Sequence, residues 1–192
     1  MSPTGENGRR LAVAIWLAAV VFSLLYWVSD LIEADQGGFS NGQLWLTLIA
    51  EAAIPPIVVG LWWVQRERLG RLGTISAWAY AYAYVFFTFT VVYALVDGTP
   101  DYDALTDDLG LWMTLHGAIM LLAGIGFGVA VARAEVLPAW TGYTLAVGVV
   151  LVVATQGAGN GVELVATAVR DLGIAAMGAS LLRLPTTSSL AP

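Results

Sequence analysis

Residues Leu111–Ala132, LWMTLHGAIMLLAGIGFGVAVA, form an apolar run without a formal charge, closed by Arg133. A helix crosses the hydrocarbon core of a bilayer with about 20 apolar residues. A chain in lipid must also satisfy its backbone N–H and C=O groups internally, which a lone strand cannot do. Such a run predicts a membrane-spanning α-helix. Five further runs have the same character: 11–28, 44–64, 73–96, 139–155 and 162–182. The expected fold is all-α, a polytopic bundle of six transmembrane helices over 11–184, between an N-terminal segment 1–10 and a flexible tail 185–192. The chain is 58% hydrophobic and 11% charged, where a soluble domain carries about 25% charge.

Two absences narrow the chemistry. There is no cysteine, which removes disulfides, thiolate nucleophiles and thiolate metal sites. All 8 basic residues are arginine, so no Schiff base can form on a lysine.

The charges are sorted by side. Arg9, Arg10, Arg66, Arg68, Arg71, Arg133 and Arg183 fall at one side of a six-span layout, and Asp30, Glu33, Asp35 and the aspartates of 97–110 at the other. Positive residues mark the cytoplasmic face, so both termini are expected in the cytoplasm and the protein in a bacterial cytoplasmic membrane, multi-pass. The run 11–28 exceeds the apolar core of a signal peptide and reads as a retained span.

Between the spans, 30–43 reads as a wetted acidic connection, 65–72 as a tight basic turn and 97–110 as an acidic loop. Pro55 and Pro56 remove backbone donors and predict a kink beside Glu51. At helical spacing, the aromatic residues of 73–96 form two stripes: Trp78, Tyr82, Phe86, Phe89 and Tyr93, and Tyr80, Tyr84 and Phe87. A faint repeat relates Leu44-Trp45-Leu46-Thr47-Leu48 to Leu111-Trp112-Met113-Thr114-Leu115, with chance similarity as the alternative.

Four polar groups interrupt the apolar spans at similar depth. Glu51 stands 15 residues before Arg66, His116 17 before Arg133, and Arg170 and Asp171 13 and 12 before Arg183. At about 1.5 Å per residue these depths agree within about 8 Å. Charged groups at such depth face the bundle interior and pair with one another. Glu51 is the candidate proton donor, His116 and Asp171 the candidate relay or base, and Arg170 the charge balance. Arg170, Trp112, Thr88, Tyr82, Phe86 and Tyr93 are candidate substrate contacts, the rings through their faces.

Each assignment has a structural alternative. Glu51 can cap the proline distortion, His116 can be a satisfied interior hydrogen-bonding group, Arg170 can neutralise Asp171 or Glu51, and the rings can be packing. Gly117, Gly124 and Gly128 predict a smooth face for close helix packing. On the arginine side, Ser76, Tyr143, Thr144 and Ser180 are the modest polar groups apart from the tyrosines of 73–96. A conduit needs polar stations along its whole length, so the pattern predicts a blind pocket open to the outer face or leaflet. No metal site and no cofactor is expected.

The stretch LHGAIMLLAGIGFGVAVARAEVLPAWTG, with its short VLPAWTG turn, resembles small six-span bacterial membrane protein families without an assigned function. That resemblance implies a six-helix bundle and no particular chemistry. In size and acidic layer the chain is also similar to small integral-membrane isoprenoid cyclases and sterol-type isomerases, a fold-level likeness with no matched residue motif. The leading functional expectation is acid–base catalysis, of isomerase or cyclase type, on an isoprenoid or other lipid. The alternatives are a non-catalytic lipid- or small-molecule-binding or accessory subunit of a membrane complex, and, third, a small transporter. Expected partners are membrane lipids, a lipophilic small molecule and a second copy or larger membrane complex, with no nucleic acid.

Overall fold

The computed structural model describes residues 6–183, with side chains from Gly8 onward. Residues 1–5 and 184–192, the latter including the expected tail 185–192, lie outside the described residues. The described chain is all-helical, in six helices: α1 (Glu6–Gln36), α2 (Asn41–Asp97), α3 (Tyr102–Leu109), α4 (Leu111–Ala134), α5 (Ala139–Ala154) and α6 (Asn160–Leu181). Helices α1, α2, α4 and α6 are long and apolar enough to cross a membrane; α5 is apolar but shorter.

Helix α2 contains two of the expected spans. It reverses at Gly70, whose φ of 62° and ψ of −168° belong to a region open only to glycine. Arms 41–69 and 71–97 fold back as an antiparallel hairpin. Trp62 packs on Trp78 with ring centroids 5.7 Å apart, and its indole N–H donates to Thr74 Oγ1 at 3.1 Å. At the far end Leu44 shares a small core with Val91, Ala94, Leu105 and Met113. The backbone stays helical through Pro55 and Pro56, and the one departure from helical φ/ψ inside α2 is Gly70. The prolines act more locally, since their missing N–H groups deprive the carbonyls of Glu51 and Ala52 of helical donors.

Two connections differ from the sequence expectation. Helix α1 runs on to Gln36, so Asp30 and Glu33 are helical instead of belonging to a wetted loop. The acidic loop contains α3, started by Asp101, whose carboxylate accepts from the Ala104 N–H at 2.8 Å. Aspartate is a strong N-cap because it satisfies an orphan N–H at the positive end of the helix.

The long segments close into a ring: α1 packs on α2, α2 on α4, α4 on α5, α5 on α6, and α6 back on α1. The main core lies inside this ring, around Ile54, Val58, Leu61, Tyr80, Tyr84, Phe127, Leu145, Ile174 and Met177. Small residues let the backbones approach. A Cβ on Gly128 would come within 2.4 Å of the Gly142 carbonyl oxygen, and one on Gly148 within 2.4 Å of the Arg170 backbone. Gly124 is less tight, a Cβ there meeting side-chain atoms of Val149 and Tyr80 at 2.9 and 3.0 Å, whereas Gly117 faces open space and is no packing glycine. Antiparallel packing gathers the Gly70 reversal, the α4–α5 turn, the start of α1 and the end of α6 at one end, with every arginine except Arg170. The opposite end is tied by Phe39 N–H to the Pro100 carbonyl and by Asn160 Nδ2 to the Ala34 carbonyl.

Candidate polar site inside the bundle

Three polar stripes meet inside the ring. On α1, Tyr26, Ser29, Asp30 and Glu33 follow one another at i, i+3, i+4 and i+7. The first arm of α2 offers Gln43, Thr47 and Glu51 at i, i+4 and i+8, and α6 offers Thr167, Arg170 and Asp171. These spacings place each set along one side of its helix.

The deepest part of the site is a chain of contacts across three helices. The Tyr26 hydroxyl donates to Glu51 Oε1 at 2.7 Å. The Arg170 guanidinium lies over the Tyr26 ring, 4.6 Å from its centroid, and Arg170 Nε donates to Asp171 Oδ1 at 2.9 Å. Glu51, Arg170 and Asp171 are only 5%, 3% and 4% exposed, so their charges depend on one another and not on solvent. Asp30 lies one turn from Tyr26 on α1, and on α6 the Thr167 hydroxyl donates to the Leu164 carbonyl at 3.2 Å. Tyr80 and Tyr84, fully buried on the second arm of α2, stack edge to face with centroids 5.1 Å apart and lie within electrostatic reach of Arg170. Gly148 makes room for this arrangement by letting α5 press directly on the Arg170 backbone.

Towards the arginine-poor end the polarity continues. Gln43 Nε2 donates to Ser29 Oγ, Thr47 Oγ1 and Glu33 Oε2 at 3.1, 2.9 and 3.2 Å, and Ser29 donates to the Gln43 carbonyl. Towards the arginine-rich end the buried polar side chains are Ser23, Gln65, Ser76, Thr141 and Ser180. Of these, Gln65, Thr141 and Ser180 bond to their own helix or the turn before it.

The predicted site residues divide into two groups. Glu51, Arg170 and Asp171 come together as described. His116, Tyr82, Phe86 and Trp112 form a separate cluster between the second arm of α2 and α4. The His116 ring stacks on Phe86 at 3.6 Å, its Nδ1 is 2.9 Å from the Trp112 carbonyl and its Nε2 3.0 Å from the Tyr82 hydroxyl. A carbonyl only accepts, so Nδ1 carries a proton, and in the neutral ring Nε2 accepts from the Tyr82 hydroxyl. Both ring nitrogens are thereby satisfied, and no hydrogen bond or ion pair joins His116 to Glu51, Arg170 or Asp171 among the described residues. The anticipated relay from His116 to Asp171 is not assembled, because α4 turns the imidazole towards the outer aromatic stripe. Tyr93 stands on that stripe, 38% exposed, and the Thr88 hydroxyl donates to the Tyr84 carbonyl of its own helix.

Tyr26, Tyr80, Tyr84 and Asp30 are site residues that sequence reasoning assigned elsewhere. The signal for α1 was the polar spacing from Tyr26 to Glu33, visible once the helix is carried past residue 28. Four buried atoms of the site have no hydrogen-bond partner among the described residues: Glu51 Oε2, Asp171 Oδ2, Asp30 Oδ2 and Arg170 Nη2. One donor and three acceptors can thus receive a group with both kinds of polar atom, or a proton shared at the Tyr26–Glu51 pair. No group of three metal-ligating side chains converges among the described residues. The chain matches no family model, no curated protein and no solved structure.

Proposed function

We propose that the chain is a six-span protein of the bacterial cytoplasmic membrane, with both termini cytoplasmic, whose polar layer binds the head group of an amphiphilic small molecule. The supporting observation is the set of partnerless buried atoms on Glu51, Asp171, Asp30 and Arg170, an unusual concentration for a protein interior. Polar side chains lead to this layer from the arginine-poor end, through Glu33, Gln43, Ser29 and Thr47, which favours entry from the outer face or leaflet. Such a pocket suits a lipophilic tail held among apolar helices and a polar head at the layer.

Acid–base catalysis on a lipid or isoprenoid is the second reading, favoured by the 2.7 Å bond from the Tyr26 hydroxyl to Glu51. In it Glu51 donates the proton and Tyr26 orients it. His116 has no part, since both its nitrogens are engaged elsewhere.

Mass spectrometry of lipids co-purifying with wild type and Glu51→Gln separates the two. If the protein only binds, Glu51→Gln loses or weakens retention of a compound that wild type carries. In the catalytic case the variant keeps its ligand but accumulates the unconverted form, because removing a general acid costs about 10²–10⁴-fold in rate. Identical extracts from wild type, Glu51→Gln and Arg170→Gln would leave the layer without a ligand and end both readings.

A further inference from the structure

The arginine-rich end carries a second, separate site. The Gly70 reversal juxtaposes the last turn of the first arm of α2 with the beginning of the second, and a groove of about 330 Å³ opens there, lined by Arg66, Gly70, Arg71, Thr74 and Ile75. Two guanidinium-bearing residues five positions apart reach one groove because the glycine turns the chain back within a single residue. Among the described residues no carboxylate lines it; the nearby Glu67 lies 3.8 Å from Arg66 and its side chain is 75% exposed.

The surroundings are those of a membrane interface. Trp62 stacks edge-on between Trp63 and Trp78, with centroids 6.0 and 5.7 Å away. The Arg66 guanidinium lies 4.1 Å above the Trp63 ring and donates to the Trp63 carbonyl at 2.8 Å, so its position is fixed. Thr74 holds the groove in shape, donating to the Gly70 carbonyl at 2.9 Å and accepting from Trp62. Ile75 and Leu72, 69% and 53% exposed, continue the surface as an apolar flank.

From this combination we infer that the groove at Gly70 binds the phosphate of an anionic phospholipid, its acyl chains lying along Leu72, Ile75 and Trp78. Arginine matches phosphate through its planar fork of donors, tryptophan marks the depth of lipid head groups, and basic pockets between helices on the cytoplasmic side suit anionic head groups. A soluble phosphate offers the same charge but leaves the apolar flank unused, which favours the lipid. The inference rests on the six-span reading for its membrane setting, but not on any ligand of the polar layer.

Native mass spectrometry of the purified full chain tests it, with dioleoyl phosphatidylglycerol and dioleoyl phosphatidylcholine titrated in parallel. Wild type is expected to retain phosphatidylglycerol roughly thirtyfold better, the effect of two basic residues at an anionic surface. Arg66→Gln with Arg71→Gln should lower that preference to near unity, and Arg133→Gln, on the same end but outside the groove, should leave it unchanged. Equal retention of the two lipids, or a preference that survives the double substitution, overturns the inference. So does displacement of phosphatidylglycerol by millimolar inorganic phosphate, because the site then recognises the anion alone. If wild type shows no preference between the two lipids yet carries a Glu51-dependent ligand, only the groove inference fails. If wild type shows the preference but its lipid extract is identical to those of Glu51→Gln and Arg170→Gln, only the polar-layer proposal fails.

Discussion

At the scale of single residues, Arg170 decides the energetics of the interior. It is the one buried cation beside Asp171, Glu51 and Asp30, and it touches Asp171 at 2.9 Å. Arg170→Ala should therefore destabilise the protein by about 3–5 kcal/mol, by stranding a buried carboxylate. Adding Asp171→Asn should recover most of that loss, and adding Glu51→Gln less, as read by denaturant titration in detergent micelles. Strictly additive losses in both double variants would show that the groups do not form a network. Glu51, Arg170 and Asp171 were legible in the sequence because a formal charge stands out in an apolar run. Tyr26, Tyr80 and Tyr84 were not, since tyrosine is at home in such runs and only one of its atoms is polar. His116 was legible as a buried ring, but depth along an axis does not fix rotation about it, and rotation chose Tyr82 and Phe86 as its neighbours.

At the scale of helices, glycines show which surfaces are in contact. Helix α5 meets α6 at Gly148, where a methyl group would collide with the Arg170 backbone, which cannot move aside as a side chain could. Gly148→Ala is expected to cost about 1–3 kcal/mol, the range for overpacking, and to perturb the Tyr26–Arg170 stack with it. Gly117→Ala is the contrast. Its Cβ would meet nothing within 4 Å, so it should be neutral or stabilise by about 0.5–1 kcal/mol through helix propensity. Circular-dichroism melts of the two variants in one detergent check this, and similar behaviour of both would contradict the packing described. The apolar runs were readable because length and hydropathy alone carry them. The extension of α1 to Gln36 was hidden because Asp30 and Glu33 resemble a hydrated flank until the bond from Gln43 on α2 to Glu33 is known.

On the scale of the whole molecule, charge is segregated between the two ends. The proposed orientation predicts that cysteines replacing Asp35 or Asp107 react with an impermeant maleimide in intact cells, whereas one replacing Arg68 reacts only after lysis. Each is exposed, and the chain supplies no cysteine of its own to confuse the signal. Labelling of Arg68→Cys in intact cells, with silence at the other two, would invert the topology and move the polar layer's entrance to the cytoplasm. The ring order of neighbours was only partly legible. Short connections imply that sequential spans pack together, but nothing in the sequence states that the last helix returns to the first.

That closure has a consequence for how the protein is made. Tyr26, Asp30 and Glu51 belong to α1 and α2, and the balancing guanidinium of Arg170 belongs to α6, which leaves the ribosome after them. Until α6 is delivered, the nascent bundle holds an acidic interior with no cation of its own. The docking of α6 on α1 and α5 is thus the step that neutralises the interior, and a chain interrupted before Asn160 keeps its acids and lacks the means to settle them. Translation order makes α6 the check on the five helices before it.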